Sequence, residues 1–502
     1  MTDGNGSYRR ILKSTGIVGS ASVVNMVLGI ARLKLFAVLL GPSGVGLLGL
    51  FANIMMFTST IATLGMATSG LRQIASTGLD DERRTYVLQA LLFAGMLFGS
   101  IGGMIVVLLR EIIAIQVMGD ARFASGVGWI GLGVAASVIG TIFSAALQGL
   151  HRIGDFARVV VAGSSIGTIA AVATVWCFGI ENIHFAAICL PVATACASVF
   201  YIRKLLDPRL LLRLRPMFTE ISAMLRFGGI VLVTTALSIG VIMATRSIIA
   251  RDLGFEAAGH FHAVWLLSAT YIGLLLTTMT SDFYPRLTAI VAAGDDAGHL
   301  INGQTLLNIK LVAPFIVGIV AFAPIIIAVL YSAEFAPAAE VLQFQVIGDL
   351  FRVVSFPFAF ALLVSNSTGR YFTAEVIWSA VYILAVHSGL DRFGLLATGY
   401  AYLASCAVYA LLVVCFARPV FRLQLDGSVI RAAILALVLA LATLVAARFS
   451  AVLGFAVGIA AIFTLGIAAL RFLLAVGRGD GEWPPDRLVK LLVRPLRRLF
   501  AR

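Results

Sequence analysis

The side chains with the clearest chemical potential are polar groups set within long apolar stretches. Ser22, Asn25, Gly29 and Arg32 recur at i, i+3, i+7 and i+10, so they share one face of a helix. An arginine at mid-bilayer costs about 2.5–3.5 kcal/mol on insertion scales, so Arg32 is expected to face water or a partner. The two alternatives for Arg32 are an anion-receiving aqueous cavity and a buried ion pair with a carboxylate on another helix.

A second polar face lies further along the chain. Gln345, Asp349 and Arg352 fall at i, i+4 and i+7, again on one side of a helix. One interpretation is an Asp349–Arg352 pair at i,i+3 that only fills a helix interface. The other makes Asp349 a proton-linked group, since intramembrane acids are costly unless they function. Glu375, in the following apolar segment, is a further candidate for proton coupling, or an ordinary hydrogen-bonding group near an interface.

The elements that carry these groups are predicted to be membrane helices. Of the 502 residues, 60% are hydrophobic and only 12% are charged, and the mean hydropathy is +1.02. A soluble domain has about 25% charged residues, so a water-facing globular enzyme is excluded. The net charge of +13 does not indicate nucleic-acid binding, because the charges lie between apolar stretches too long for a soluble fold.

Apolar runs long enough to cross a bilayer, about 20 residues each, predict about 14 transmembrane helices. Most Lys and Arg residues then fall in loops on the amino-terminal side, which predicts that both termini are cytoplasmic. The first segment is interpreted as an uncleaved first helix. The predicted segments are residues 14–40, 45–69, 86–109, 126–148, 157–178, 184–202, 227–250, 258–280, 309–331, 341–364, 373–388, 395–416, 430–447 and 451–474.

The sequence contains a weak internal repeat. A shift that lays Gly16-Ile17-Val18 on Gly229-Ile230-Val231 also lays Leu40-Gly41 on Leu253-Gly254 and Gly46 on Gly259. The seventh segment crosses from the same side as the first, as two parallel six-helix halves require. The repeat therefore predicts two related lobes.

The same shift gives the polar stripe of the first helix a counterpart in the seventh segment. That counterpart contains Ser238 and Thr245, with Arg246 one residue further on. Two equivalent polar faces at one depth are expected to border a shared interior, because lipid rewards neither. Arg246 is interpreted as a second cavity cation or as a partner of Asp252 or of a neighbouring helix.

The predicted organisation is an all-α integral membrane protein with two parallel six-helix lobes around a central cavity and a C-terminal helix pair. The basic tail is interpreted as an amphipathic segment on anionic lipid, with a disordered tail as the alternative. The predicted parts are the N-terminal lobe 1–202, a basic cytoplasmic linker 203–226, the C-terminal lobe 227–416, the helix pair 417–475 and the cytoplasmic tail 476–502.

Enzymatic chemistry is not predicted. The sequence has no GxxxxGK[ST] and no HExxH pattern, and its connectors are too short to hold a catalytic domain. The five cysteines lie in apolar segments at spacings that suit neither a zinc site nor a disulfide framework. We therefore predict no catalytic residues, no metal and no cofactor.

Two passages resemble a known superfamily. The first is Val24-Asn25-Met26-Val27-Leu28-Gly29-Ile30-Ala31-Arg32 followed by Leu40-Gly41-Pro42-Ser43-Gly44-Val45-Gly46. The second is Gln345-Val346-Ile347-Gly348-Asp349-Leu350-Phe351-Arg352, continuing through Gly369-Arg370-Tyr371 to Glu375. They resemble the multidrug/oligosaccharidyl-lipid/polysaccharide exporter (MOP) superfamily, and within it the Wzx-type flippases of O-antigen and enterobacterial common antigen. The first passage also resembles lipid II flippases of the MurJ type, and the likeness spans about residues 8–416.

The resemblance implies a substrate and a route. It implies that the chain moves an undecaprenyl-diphosphate-linked oligosaccharide across the bacterial inner membrane by alternating access. In lipid II flippases an arginine matching Arg32 is among the cavity cations that meet the diphosphate. A second cavity arginine of that family falls on Met26, which counts against a peptidoglycan precursor. The implied partners are the lipid-linked glycan, membrane lipids, a polysaccharide polymerase and a chain-length regulator, without nucleic acid.

The candidate substrate-binding residues combine cations with hydroxyl and amide groups suited to sugars. They are Asn25, Arg32, Ser238, Thr245, Arg246, Gln345 and Arg352. A multidrug/proton antiporter of the same fold and a lipid II flippase remain alternatives. Drug exporters of that fold usually carry an acid in the first helix, where this chain has Asn25, Arg32 and Lys34. A membrane enzyme and a scaffold protein are the more distant alternatives.

Overall fold

The computed structural model describes residues 4–75, 81–203, 214–365 and 367–476. The regular elements of these residues are helices, and no strand occurs among them. They divide into two compact units, residues 1–262 with 330–334 (unit 1) and residues 263–329 with 335–502 (unit 2). The predicted all-helical fold is confirmed.

Unit 1 is built from the first eight helices and the start of the ninth. A core cluster lies where α2, α3 and α5 pack, with Leu91, Ile142 and Leu147 fully buried there. The helices are α1 (Gly4–Thr63), α2 (Met66–Ala75), α3 (Asp81–Leu108), α4 (Arg110–Ile113), α5 (Ala124–Gly149), α6 (Ile153–Phe178), α7 (Ile183–Ile202), α8 (Leu214–Asp252) and α9 (Gly254–Ser281).

Unit 2 contains the rest of α9 and seven further helices. The central helix α12 packs against α13 and α14, and Gly348 lets α14 approach closely, since a Cβ there would meet the ring of Tyr402. The helices are α10 (Phe283–Ala293), α11 (Gly298–Leu330), α12 (Ala338–Val364), α13 (Thr368–Phe393), α14 (Leu396–Phe421), α15 (Gly427–Phe449) and α16 (Ala451–Val476).

Eleven helices in the described part of the chain are long and apolar enough to cross a membrane. The first of these, Gly19–Thr63, contains two predicted segments on either side of a kink. Every predicted segment overlaps a helix of the structure, and two of them overlap α8 and α9, which are not among the eleven. The number of fourteen spans stays a prediction.

Two glycines matched by the internal repeat both have a positive φ. Gly41, at the kink of α1, has φ 61°, and Gly254, between α8 and α9, has φ 87°. This left-handed region is strained for residues with a Cβ and open to glycine. The two matched positions therefore both have a φ that favours glycine.

A second matched pair of glycines lies at a close crossing of α1 and α9. A Cβ on Gly46 would collide with the carbonyl oxygen of Phe255, and a Cβ on Gly259 would collide with that of Pro42. The shift that relates Gly46 to Gly259 also relates Pro42 to Phe255, so the contact is reciprocal. Equivalent residues touch in this way around a two-fold axis.

The predicted domain boundaries do not coincide with the boundaries of these two units. The division between the units falls within α9, at residue 262, and the lobes 1–202 and 227–416 with the helix pair 417–475 stay predictions. Residues 204–213 of the predicted linker and residues 477–502 of the predicted tail lie outside the described residues.

Candidate functional site

The polar face of α1 meets a polar face of α6 in unit 1. The Ser164 hydroxyl donates to Oδ1 of Asn25, and Nη1 of Arg32 donates to the Thr168 hydroxyl over 3.4 Å. Ser164 and Thr168 are buried, at 8% and 7% exposure, whereas Arg32 is half-buried and Asn25 is exposed. We call Asn25, Arg32, Ser164 and Thr168 the α1–α6 seam.

Arg32 has a neutral partner in the seam. Within the described parts of the chain, no carboxylate lies within ion-pair distance of its guanidinium, and one of its five N–H donors contacts a described residue, Thr168. The alternative of a buried ion pair thus finds no partner there. The seam supplies a permanent positive charge beside hydroxyl and amide groups.

The residues next to Ser164 also match a sequence pattern of hydrolases, with Ser165 at the position of the nucleophilic serine. Gly163-Ser164-Ser165-Ile166-Gly167 matches GxSxG. In hydrolases that pattern forms a sharp turn between a strand and a helix, which exposes the serine hydroxyl. Here the five residues lie inside the continuous helix α6. The arrangement therefore does not form a nucleophile elbow.

The counterpart stripe on α8 is more deeply buried than the stripe on α1. Arg246 is 4% exposed and its Nη1 donates to the carbonyl oxygen of Gly49 over 3.4 Å. Thr245 is fully buried, and its hydroxyl has no hydrogen-bond partner in the described residues. Ser238 is half-buried. In this conformation Arg246 contacts the backbone of α1, so its role as a cavity cation stays a prediction.

Asp349 in α12 is the acceptor at the centre of a polar cluster in unit 2. Its carboxylate accepts hydrogen bonds from the Ser268 hydroxyl at 2.5 Å, the Tyr402 hydroxyl at 2.7 Å, and the Tyr271 hydroxyl. Asp349 and Ser268 are buried, as is Tyr402. We call these four residues the Asp349 cluster. Three hydroxyl donors from α9 and α14 thus surround one buried carboxyl group.

Arg352 stands next to this cluster without pairing with its acid. No carboxylate of the described residues lies within 4.0 Å of its guanidinium, so the i,i+3 pair with Asp349 is not formed. Instead the guanidinium carbon lies 5.1 Å from the ring centroid of Trp378, a cation–π contact. Trp378 stacks on Tyr382 with centroids 5.6 Å apart.

Two further predicted residues of unit 2 have distinct surroundings. Glu375 in α13 accepts a 2.6 Å hydrogen bond from the Tyr409 hydroxyl of α14. Gln345 is 1% exposed, and neither polar atom of its amide has a partner in the described residues. Its neighbour Gln343 instead donates to the carbonyl of Val320 at 2.9 Å. An unpartnered buried amide is costly, so Gln345 calls for a ligand or another conformation.

Several residues of these sites were not predicted from the sequence. Ser164 and Thr168 have a signal, since they lie at i and i+4 in an apolar segment, and Ser268 and Tyr271 lie at i and i+3. Tyr402 has no comparable signal. The described residues include no group of three or more His, Cys, Asp or Glu side chains placed to hold a metal ion. The geometry is that of binding groups.

Comparison with known proteins places the chain in a family. A family described as "Polysaccharide biosynthesis protein" matches residues 35–340, more than half of the chain. The chain is also 21% identical to the Lipid III flippase of Escherichia coli (strain K12) over 407 residues, which cover 80% of this chain and 96% of that relative.

Two solved structures have a similar fold. One is the lipid II flippase MurJ in an inward closed conformation, with a TM-score of 0.65, 13% identity and coverage of 91% of this chain and 99% of that one. The other is a multidrug resistance MATE family transporter of the MOP superfamily in an inward-facing conformation. Its TM-score is 0.61, its identity is 14%, and the match covers 79% of this chain and 94% of that one.

These likenesses agree with one another and with the apolar helices. The relatives are flippases and transporters, not enzymes, and the chain is a multi-pass protein of the inner membrane. The predicted likeness to polysaccharide flippases is confirmed at the level of the family. The chain belongs to the polysaccharide biosynthesis protein family.

Proposed function

We propose that this chain translocates an undecaprenyl-diphosphate-linked oligosaccharide, a repeat unit of O-antigen or exopolysaccharide type, across the inner membrane by alternating access. The name of its relative, Lipid III flippase, supports transport of a lipid-linked molecule. The polyprenyl chain stays in lipid while the head group passes through protein. No covalent catalysis is required for such a step.

The observation that carries the proposal is the state of Arg32. It lies in an apolar helix with a hydroxyl as its described partner, and no carboxylate of the described residues is at ion-pair distance. A guanidinium in that position is costly unless it serves an anion. A diphosphate offers several oxygens for bidentate hydrogen bonds, which a guanidinium matches better than an ammonium does.

The glycan needs neutral hydrogen-bonding groups and flat apolar surfaces. Asn25 and Ser164 supply an amide and a hydroxyl along the same seam as Arg32. In unit 2 the amide of Gln345 is buried without a described partner, and Arg352 contacts an aromatic ring rather than an acid. Both residues are therefore suited to contact a polar ligand.

We assign proton coupling to Asp349 and Glu375. Both acids accept hydrogen bonds from neutral hydroxyl groups, and no cation of the described residues forms an ion pair with either. A carboxyl group that is not neutralised by a fixed cation can change its charge during a cycle. Transport is then expected to respond to a proton gradient.

The topology and assembly proposals follow the sequence. Both termini lie in the cytoplasm, and two six-helix lobes border a central cavity, with the C-terminal helix pair 417–475 appended. Ser238, Thr245 and Arg246 contribute to that cavity in another step of the cycle. A polysaccharide polymerase and a chain-length regulator are the expected protein partners, and copurification from the native membrane tests them.

Deletion in the native host, with complementation, tests the function. The proposal expects lipid-linked repeat units to accumulate on the cytoplasmic leaflet and surface glycan to disappear, with recovery on re-expression. Unchanged glycan with altered drug tolerance would instead establish the multidrug/proton antiporter.

The same deletion separates the two lipid substrates. A lipid II flippase would be required for peptidoglycan synthesis, so its loss would cause lysis, whereas loss of a glycan flippase leaves the cell wall intact. The antiporter alternative is opposed by α1, because Gly4–Thr63 contains no Asp or Glu. Peptidoglycan precursor accumulation, measured beside the glycan, decides between the two flippases.

A further inference from the structure

A pocket of about 510 Å³ lies at one end of the α1–α6 seam, between α1, α6 and α7. Small residues leave this space open, and a Cβ added at Gly154 would meet nothing within 4 Å. Polar groups from all three helices border it. The residues used below are Ser20, Val24, Gly154, Ala157, Arg158 and Tyr201.

The pocket continues the seam along both helices. On α1, Ser20 precedes Asn25 by about one and a half turns and precedes Arg32 by ~18 Å of helix at 1.5 Å per residue. On α6, Arg158 precedes Ser164 and Thr168 in the same direction. The predicted topology places these ends of α1, α6 and α7 on the cytoplasmic side. A head group moving up the seam from the cytoplasm would therefore meet the pocket first.

The pocket has the charge that an anion requires. Arg158 is 67% exposed in its side chain and pairs with Asp155 at 3.0 Å, three residues earlier on the same helix. The Asp155 side chain is 20% exposed, and ion pairs near the surface contribute only about 0–1 kcal/mol, so a diphosphate can compete with it for Arg158. The N-terminus of α6, a helix of 26 residues that begins at Ile153, lies beside Gly154 and adds the positive end of its dipole.

We propose that this pocket is the loading site for the diphosphate head group of the lipid-linked glycan. This inference rests on the proposed flippase function and adds a second, earlier cation to it. Arg158 binds the diphosphate at the cytoplasmic leaflet, and the hydroxyl-bearing residues Ser20 and Tyr201 border the first sugar or phosphate. The head group then passes along the seam to Arg32.

Binding of undecaprenyl diphosphate to the purified full-length protein in lipid nanodiscs tests the proposal. Arg158→Gln is expected to weaken binding about tenfold. The matched control is Arg286→Gln, because Arg286 also pairs with an aspartate on its own helix region, at 3.1 Å from Asp282, and lies on the same predicted side. Equal affinity of Arg158→Gln and wild type would overturn the proposal.

Two further probes identify the source of the phosphate. Undecaprenol, which lacks phosphate, is expected to bind equally to Arg158→Gln and wild type. Inorganic pyrophosphate is expected to compete only weakly, because it lacks the chain that holds the head group at the membrane surface. Competition by pyrophosphate at the same concentration as the lipid would overturn the assignment to a lipid head group.

A blocking variant separates this proposal from the function on which it rests. Gly154→Phe places a ring in the open pocket, and it is expected to abolish glycan export while the protein still inserts. The control Gly427→Phe, at another helix start where a Cβ would meet nothing within 4 Å, is expected to remain active. Normal export by both Gly154→Phe and Arg158→Gln, together with loss of export in Arg32→Ala, would refute the loading site and leave the flippase standing. A deletion without any glycan defect would refute both.

Discussion

The α1–α6 seam and the Asp349 cluster each hold an ionisable side chain within an apolar helix, a base in the seam and an acid in the cluster. In each, an ionisable side chain on an apolar helix has a hydroxyl partner on a neighbouring helix and no ion-pair partner among the described residues. Arg32 is half-buried and has one described partner, whereas Asp349 is fully buried and accepts three hydrogen bonds. Most N–H donors of Arg32 thus have no described partner, whereas the Asp349 carboxylate accepts three hydrogen bonds.

This difference indicates that the two sites are suited to different roles in transport. A guanidinium stays charged at any physiological pH, so the seam offers a permanent attraction for an anion. A carboxyl group can gain or lose a proton, so the Asp349 cluster can switch its charge while its hydroxyl partners hold it in place. We therefore propose that the seam binds substrate and that the cluster couples energy to transport, and the following variants test this proposal.

The largest effect is expected at Arg32. Arg32→Ala removes the permanent charge, and we expect export to fall at least about 100-fold, since charge-assisted contacts to phosphate are the strongest available. Arg32→Lys is expected to recover part of the activity, because it restores charge without the planar donors. Accumulation of lipid-linked repeat units in the complemented deletion strain measures this. Arg122→Ala, an exposed arginine paired with Asp120, is the control, and full export by Arg32→Ala contradicts the assignment.

Asp349→Asn is expected to give the next largest effect. The amide keeps an acceptor for Tyr402 but cannot change its charge, so transport is expected to fall about tenfold and to lose its dependence on a proton gradient. Transport by proteoliposomes with and without an imposed gradient measures both quantities. Asp391→Asn, an exposed acid on α13, serves as the control. An undiminished gradient response in Asp349→Asn would show that coupling lies elsewhere.

Gln345→Leu separates function from stability. Removing a buried amide without described partners is expected to raise the free energy of unfolding by about 1 kcal/mol. Transport is expected to fall several-fold, because the amide that would meet the glycan is gone. Gln343→Leu on the same helix is the matched opposite, since it removes the bond to Val320 and is expected to lower stability by about 1 kcal/mol. Unchanged transport in Gln345→Leu would remove it from the binding site.

The smallest effect is expected at Thr168. Thr168→Val keeps the shape of the side chain and removes the hydroxyl that Arg32 contacts, so transport is expected to fall two- to threefold, about 0.5 kcal/mol. Thr174→Val on the same helix is the control, because the Thr174 hydroxyl bonds to the carbonyl of Ala170 within α6. Equal rates for the two variants, measured in proteoliposomes, would show that the hydroxyl does not tune the cation.

The helices were largely predictable because the bilayer imposes one long apolar run per crossing. The predicted break near Gly41 is a real change of backbone direction. Helix ends were less predictable, as α8 begins at Leu214 and α11 at Gly298, well before the apolar runs that marked them. The leading turns of such helices are polar, so hydropathy alone does not reveal them.

The candidate site was predictable only in part. Arg32 and Asp349 stand out, since a charged residue in an apolar run is rare and costly. Their partners do not, because a tyrosine such as Tyr402 is common in apolar segments and its contact with Asp349 joins residues far apart in sequence. Spacing along one helix predicts which side chains share a face, but it does not identify the helix opposite. The i,i+3 pair of Asp349 and Arg352 illustrates this, since tertiary partners replaced it.

The crossing of Gly46 and Gly259 has a consequence for repeated motion. Contacts made by glycine backbones immobilise no side-chain rotamers, so making or breaking them carries little of the entropy that ordinary packing loses. If a transport step separates α1 from α9 at this point, the contact can re-form without side chains having to find their rotamers again. The crossing can therefore open and close in every transport cycle at little cost in side-chain entropy.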